Sequence, residues 1–338
     1  MKRIYFCFII VAALVFTACN RPGVDELIPT PTPNGTSGTP SPTADSIAGQ
    51  VLETLSQPEW ENRIIGTSGN VKAGEYLAGM LESFGYAPYK SDSLLMPYEQ
   101  PGFDIERFFV DHQNSFTAYN IVGVIRGADS SKAWVLSAHF DGLNFDENAT
   151  AAYDNASGCA ALADAAARLA EHAKESPFER DIIICFFNGE EIGLFGSRAF
   201  VEETGYDYDE ITNINIDCVG GIDCEPLIFQ LLDEWLEGWD DNNAVLYDMM
   251  RDMLDKYGIE HTTGFFHGGS DHMSFIFPHM TAVSLIQEGA LDLAHGHRDV
   301  INNVDLSEIE KISDVVFQFV TVHDGRSFLI DDLISAAA

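Results

Sequence analysis

The chain has 338 residues, 46% of them apolar and 23 of them Phe, which is enough to fill a large α/β core and excludes a globally disordered polypeptide. Its 53 acids outnumber 18 bases for a formal net charge of −35, a balance that excludes nucleic-acid binding, because neutralising phosphates needs clustered Lys and Arg. Most of these acids read as a solvated, self-repelling exterior, and only a handful need a chemical task.

At the N-terminus, Lys2 and Arg3 precede an apolar stretch, Ile4–Phe16, that is too short to span a bilayer as a stable helix, so residues 1–18 read as a signal peptide. The string Phe16-Thr17-Ala18-Cys19 resembles a bacterial lipobox, with Phe16 where Leu is usual, and implies a lipidated Cys19 at the mature N-terminus. Ordinary cleavage after Ala18 is the alternative. Either route exports the protein: as a cell-envelope lipoprotein on the outer side of the cytoplasmic membrane or in the outer membrane, or as a secreted protein. Residues 19–44, dominated by Pro, Thr, Ser and Gly, form an extended linker. The acidic body is repelled by anionic lipid, so membrane contact is expected only through acyl chains on Cys19.

From residue 45 onward, helices are expected at Ser46–Leu55 and Val71–Phe84, the second ended by Gly85. Thr117–Ile125 and Ala133–His139 read as strands around a Gly-Ala-Asp-Ser turn. A helix follows over Asn155–His172 with Asp154 as its N-cap. Next come an apolar strand, Asp181–Phe187, a helix around Gly193–Glu202, and a strand at Ile211–Cys218. A helix at Asn243–Tyr257 closes at Gly258; a strand at Ala282–Ile286 and a helix at Leu306–His323 complete the order. Leu94–Asp111 and Gly221–Asn243 read as loops. Strands alternating with helices predict a single α/β domain, a central, largely parallel mixed β-sheet flanked by helices on both faces. Cys159 and Cys185 read as small buried hydrophobes. No CxxC pair exists, so no cysteine zinc site is expected, while Cys218 and Cys224 are candidates for a disulfide.

Several strand ends deliver ligands suited to a hard or borderline metal. His139 and Asp141 end one strand (SAHFDG), and Asp154 opens the Ala-rich helix (YDNASG). Glu190 and Glu191 follow the apolar strand (NGEEIGLFGS), and Asp217 ends the next one (NIDCVGG). Downstream lie Asp271 and His272, then His295, His297 and Asp299. Two adjacent acids at the carboxyl end of a buried strand repel one another and need a proton or a cation nearby. Imidazole and carboxylate without thiolate suit catalytic zinc, with manganese or cobalt as alternatives. The carboxylates outnumber what one ion needs and fit two ions sharing a bridging acid, roughly 3.5–4 Å apart. Each residue alone has a plain structural use: Asp154 as a cap, Asp217 as a loop acid, Glu191 as a first-turn acid. Their joint order along the strand ends is what such uses explain poorly. His112, His172, His261 and His323 are read as structural.

Together these strings resemble the co-catalytic di-zinc aminopeptidases of the aminopeptidase S and aminopeptidase Y type, clan MH metallopeptidases, from about Pro58 to the last helix. The resemblance implies a peptidase domain over 45–334 holding two zinc ions. Asp154 would bridge them, His139 and Asp217 would complete one site, and Glu191 with a late His the other. In the family that His is followed by Asp four and ten residues on; His295 has Asp299 and Asp305 there, whereas His297 has Ile301 and Ser307. His295 is therefore the ligand expected, although Gly296 replaces the usual Thr and keeps His297 as a substitute. Glu190 would be the general base and Asp141 the partner that fixes the His139 tautomer. Asp271 and His272 would touch substrate, a peptide with a free N-terminus. A glutaminyl cyclase of the same fold and a non-catalytic surface-binding relative are the alternatives. A carboxypeptidase ranks lower, since Arg198 and Arg298 are the only bases beside these motifs.

Overall fold

The run Arg180–Phe187 is buried at every position, as a strand covered on both faces must be, and it lies inside the sheet of the computed structural model. The structure describes residues 46–104, 109–144, 146, 148–230, 241–264, 269–287 and 290–329. The expected signal peptide, Cys19 and linker lie outside the described residues. The helices in chain order are α1 (Ile47–Leu55), α2 (Ser68–Phe84), α3 (Ser157–Glu175), α4 (Phe195–Thr204), α5 (Asp241–Tyr257), α6 (Met273–Ile276), α7 (Ala290–Leu293) and α8 (Leu306–His323). The strands are β1 (Ala87–Pro88), β2 (Leu95–Asp104), β3 (Phe109–Ile125), β4 (Asp129–His139), β5 (Arg180–Phe187), β6 (Glu210–Ile216), β7 (Leu227–Gln230), β8 (His261–Gly264) and β9 (Thr281–Leu285).

The main sheet is mixed, as expected, but only half of it is parallel. Strands β5, β4, β6 and β9 run parallel in that spatial order, whereas β3 pairs antiparallel with β1, β2 and β5. Order reverses at β4: the chain crosses through α3 to β5 on one side, then through α4 to β6 on the other. Right-handed crossovers running in opposite directions place α3 and α4 on opposite faces. The apolar alternation follows. Trp134, Leu136 and Ala138 share a core with Leu52, Leu77, Leu162 and Phe319, while Ala133 and Val135 face Phe200 and Phe275. The crevice at the carboxyl ends of β4, β5 and β6 is thus a topological switch point, where open α/β sheets bind ligands.

Four local expectations are corrected. Residues 94–111, read as a loop, supply β2 and the start of β3, an antiparallel hairpin whose register shifts between Pro101 and Gly102. Pro97 and Pro101 mask the strand, and both are tolerated because β2 is an edge. Helix α2 starts at Ser68 rather than Val71, because the Thr67 hydroxyl accepts from the Asn70 N–H at 3.2 Å. Cys218 and Cys224 remain thiols, so the disulfide considered from the sequence is not formed. The segment read as a loop over Gly221–Asn243 contains β7, which pairs in parallel with β8.

Candidate metal centre

His139 is the last residue of β4, and the chain stays in register one residue further, with Phe140 N–H donating to the Phe187 carbonyl at 2.9 Å. Glu190 and Glu191 follow β5 on a turn that passes through Gly189 at φ 76°, a conformation that favours glycine. Asp217 follows β6, its N–H bonded to the Leu285 carbonyl at 3.0 Å. His295 follows α7 with φ 59°. Asp154 sits in the irregular turn Ala152–Ala156, and its peptide bond to Asn155 is cis. It is not the helix cap expected of it. Asn155 instead accepts from Gly158 N–H (2.9 Å) and Cys218 N–H (3.2 Å) and donates to the Ile216 carbonyl (3.0 Å). That frees the Asp154 carboxylate to face the crevice.

Five side chains from five separate segments converge there. His139 Nε2 lies 3.2 Å from both Asp154 Oδ1 and Asp217 Oδ1. His295 Nε2 lies 3.0 Å from Asp154 Oδ2 and 2.7 Å from Glu191 Oε2. Asp154 therefore turns one oxygen to each histidine. The donor atoms form two groups, His139–Asp154–Asp217 and Asp154–Glu191–His295, each within 4.8 Å. Tetrahedral zinc with nitrogen and oxygen ligands at about 2.0–2.1 Å sets neighbouring donors roughly 3.3 Å apart, close to these spacings, and the donor types match. His297 is exposed and stands in neither group, nor do His112, His172, His261 and His323.

Glu190 also lies outside both groups. Asp141 supports the acids in a way the sequence did not indicate. His139 Nδ1 is 3.0 Å from the Asp141 backbone carbonyl and 3.7 Å from its carboxylate. The carboxylate instead accepts from the N–H groups of Glu190 and Glu191, both at 3.3 Å. The tautomer is therefore set by the carbonyl, and the Asp141 side chain orients the acid pair. Asp271 and His272 are buried within electrostatic reach of Asp217; the Ser197 hydroxyl bears on the Asp271 carboxylate, and the His272 ring has no hydrogen-bond partner among the described residues.

Electrostatics mark this cluster as built for cations. Burial works against charge on His139, yet Asp217 and Glu190 outweigh it and hold the imidazole well above the usual histidine range. His295 is raised in the same way by Glu191 and Asp154. Burial, reinforced by Asp154 and opposed by His295, pushes Glu191 up to about 7. Burial likewise takes Asp271 to about 7 and His272 down to about 4. The carboxylates that raise both imidazoles make a negative field of the kind that attracts cations.

Asp299 is a supporting residue that the sequence marked only by spacing. It accepts from Tyr153 N–H at 2.7 Å, and its carbonyl accepts from Thr150 N–H at 2.9 Å, so it anchors the turn bearing Asp154. Burial and the Asp154 carboxylate push it up to about 7. The folded protein thus keeps a proton that the unfolded chain releases near pH 4, and the associated stability is lost as pH rises through 7. We predict that Asp299→Asn, which keeps the acceptor for Tyr153, stabilises the metal-free protein by about 2–4 kcal/mol at pH 8 and little at pH 4. Urea unfolding at both pH values checks this; equal midpoints at pH 8 would count against it.

The Asn188 side chain, too, went unmarked although it opens the NGEE string. It exchanges reciprocal hydrogen bonds with Asn70 of α2 at 2.9 and 3.0 Å. Neither asparagine carries a sequence signal for the pairing, since 118 positions separate them.

The protein-family model described as Peptidase family M28 matches residues 120–320, a segment that contains all five converging residues. In sequence, the chain is similar to the probable glutamate carboxypeptidase LAMP1 of Arabidopsis thaliana, 30% identical over 214 residues, covering 59% of this chain and 29% of that protein. The chain spans less than half the length of the sequence relatives it matches. In structure, it is similar to the aminopeptidase from Aneurinibacillus sp. strain AM-1, with TM-score 0.66 at 14% identity, covering 83% of this chain and 93% of that one. It is also similar to a glutaminyl cyclase of Porphyromonas gingivalis, with TM-score 0.62 at 17% identity, covering 83% and 98%. At such identities these structural likenesses speak for the fold alone.

Proposed function

The chain belongs to peptidase family M28, and on that footing we propose that it is a zinc-dependent aminopeptidase acting on peptides with a free N-terminus. The observation that carries the proposal is the shared carboxylate of Asp154, placed between a His139–Asp217 pair and a Glu191–His295 pair. His139, Asp154 and Asp217 would hold one ion, and Asp154, Glu191 and His295 a second, zinc being favoured over manganese or cobalt. When bound, the cations supply Lewis acidity that lowers the pKa of water towards about 7 and polarises the scissile carbonyl. The Glu190 carboxylate takes the proton of the attacking water and returns it to the leaving amine nitrogen as the C–N bond breaks. Asp141 holds Glu190 and Glu191 through their N–H groups and His139 through its carbonyl.

Charge supports the amine end of the peptide over the carboxyl end. The residues at the centre are mostly acids, and Asp271 adds a further buried carboxylate. Nearby Arg63 is occupied by backbone carbonyls, Arg298 is exposed, and Arg198 stacks on Phe195. A substrate ammonium group suits this field; a substrate carboxylate does not. The basic and apolar N-terminal segment ending at Cys19 supports export and lipid anchoring as part of the same proposal. Labelling with a radiolabelled fatty acid tests that part: label lost in Cys19→Ser supports the anchor, and no label in the native chain refutes it.

The direct test is elemental analysis of purified protein alongside aminoacyl chromogenic substrates, N-terminal Gln peptides and peptides ending in Glu. Hydrolysis of the aminoacyl substrates is expected, abolished by a chelator and restored by zinc. Cyclisation of Gln peptides without aminopeptidase turnover would replace this reading with that of a glutaminyl cyclase. Activity indifferent to chelator would overturn the metal site.

A further inference from the structure

Glu61, Asn62 and Arg63 have φ values of 52°, 55° and 59°, three successive left-handed residues without a glycine. Such a run persists only where its surroundings over-determine it. Here the surroundings are the metal-binding loops. The fully buried Arg63 guanidinium donates to the carbonyls of Leu55 (2.6 Å), Phe140 (2.7 Å), Thr150 (3.2 Å) and Ala151 (2.7 Å). Phe140 stands between His139 and Asp141, while Thr150 and Ala151 lead into the turn that carries Asp154. The Asn62 carbonyl oxygen lies 2.6 Å from where a Cβ on Gly142 would sit, so the left-handed run packs directly on the loop after Asp141. The Arg63 carbonyl accepts from Asn70 Nδ2 at 2.9 Å, and that amide also reaches Asn188, which begins the turn bearing Glu190 and Glu191.

We propose that Arg63 is a positioning residue that ties the His139, Asp154 and, through Asn70, the Glu191 loops into one preformed metal cradle. The proposal rests on the metallopeptidase reading and extends it to residues outside the segment that the family model matches. A guanidinium suits the task because its planar fork offers five donors in fixed directions; a lysine ammonium offers three from one point. It also brings a permanent positive charge behind the acids. Burial lowers its pKa, and the nearby charges of Asp299, Asp141 and Asp154 oppose that fall. Gathering those carboxylates before a cation arrives then meets less mutual repulsion.

The experiment is stepwise zinc titration by chelator competition on the native full chain, Arg63→Lys, Arg63→Ala and Asn70→Ala, with melting of each metal-free protein recorded in parallel. Arg63→Lys is expected to weaken both zinc sites by about 10–100-fold, the range seen when partners of metal ligands are removed. Asn70→Ala is expected to weaken the Glu191–His295 site selectively. Millimolar guanidinium added to Arg63→Ala is expected to recover part of the lost affinity, which a general loss of stability would not allow. If Arg63→Lys fails to fold, Asn70→Ala decides the question alone. Native protein that binds zinc, with variants that melt earlier yet bind equally well, would overturn the Arg63 assignment only. Native protein that binds no zinc would instead remove the reading beneath it.

Discussion

Glu190→Gln is expected to lower turnover on an aminoacyl substrate by two to four decades while leaving zinc content and affinity unchanged, the range typical of losing a general base. The asymmetry between adjacent acids is the reason. Glu191 stands 2.7 Å from His295 and belongs to a donor group; Glu190 belongs to neither. Burial, opposed by His139 and reinforced by Glu191, Asp217 and Asp271, pushes the Glu190 carboxyl well above the usual carboxylate range in the metal-free protein. A carboxyl whose proton affinity is raised by burial and by neighbouring acids is suited to accept a proton and give it back. Glutamine keeps the volume and removes that capacity. Steady-state kinetics with elemental analysis on the same preparation separates the outcomes. Near-normal turnover would remove Glu190 from its assigned task, and lost zinc would make it a ligand.

Where the local pattern decides the structure, the sequence alone carries it. The periodicity predicts a helix over Leu306–His323 and α8 forms there, since Asp305 caps it by accepting from Ser307 N–H at 2.8 Å. The apolar run before NGEE placed the two acids at a strand end, because eight buried positions leave few other options. Legibility failed where distant parts of the chain decide. Asp154 is a good cap on paper, but it is the Asn155 amide that accepts from Gly158 and donates to Ile216 at once. That tertiary demand fixes Asn155 in the turn before the helix and leaves the Asp154 carboxylate for the centre. The spacing of His139 and Asp141 invites an imidazole–carboxylate pair, yet the backbone carbonyl comes nearer. Arg63 carries no local sequence signal of its role, because its burial depends on carbonyls 77 to 88 positions away.

Asp154→Asn is expected to cost both metal ions, whereas Asp217→Asn and His295→Ala should each cost one. The contrast follows from geometry, because Asp154 sends Oδ1 towards His139 and Oδ2 towards His295. Burial would raise its pKa, and hydrogen bonds to His139 and His295 overcome that, keeping it ionised with both oxygens available. An amide offers one weak oxygen ligand and an N–H₂ group that would point at a cation. Losing the partner of a metal ligand typically weakens binding by about 10–100-fold, so loss of a ligand common to both positions should exceed that. Equilibrium dialysis against buffered zinc should then leave fewer than one ion per chain in Asp154→Asn and about one in each of the other two variants. Thermal melting adds an independent readout, since a cation that binds only the folded chain stabilises it in proportion to RT ln(1 + [L]/Kd). Added zinc should raise the melting temperature most in the native protein, less in the single-site variants and least in Asp154→Asn. Equal retention of zinc by Asp154→Asn and Asp217→Asn would show that the two positions do not share a ligand, and the paired centre would give way to a single one.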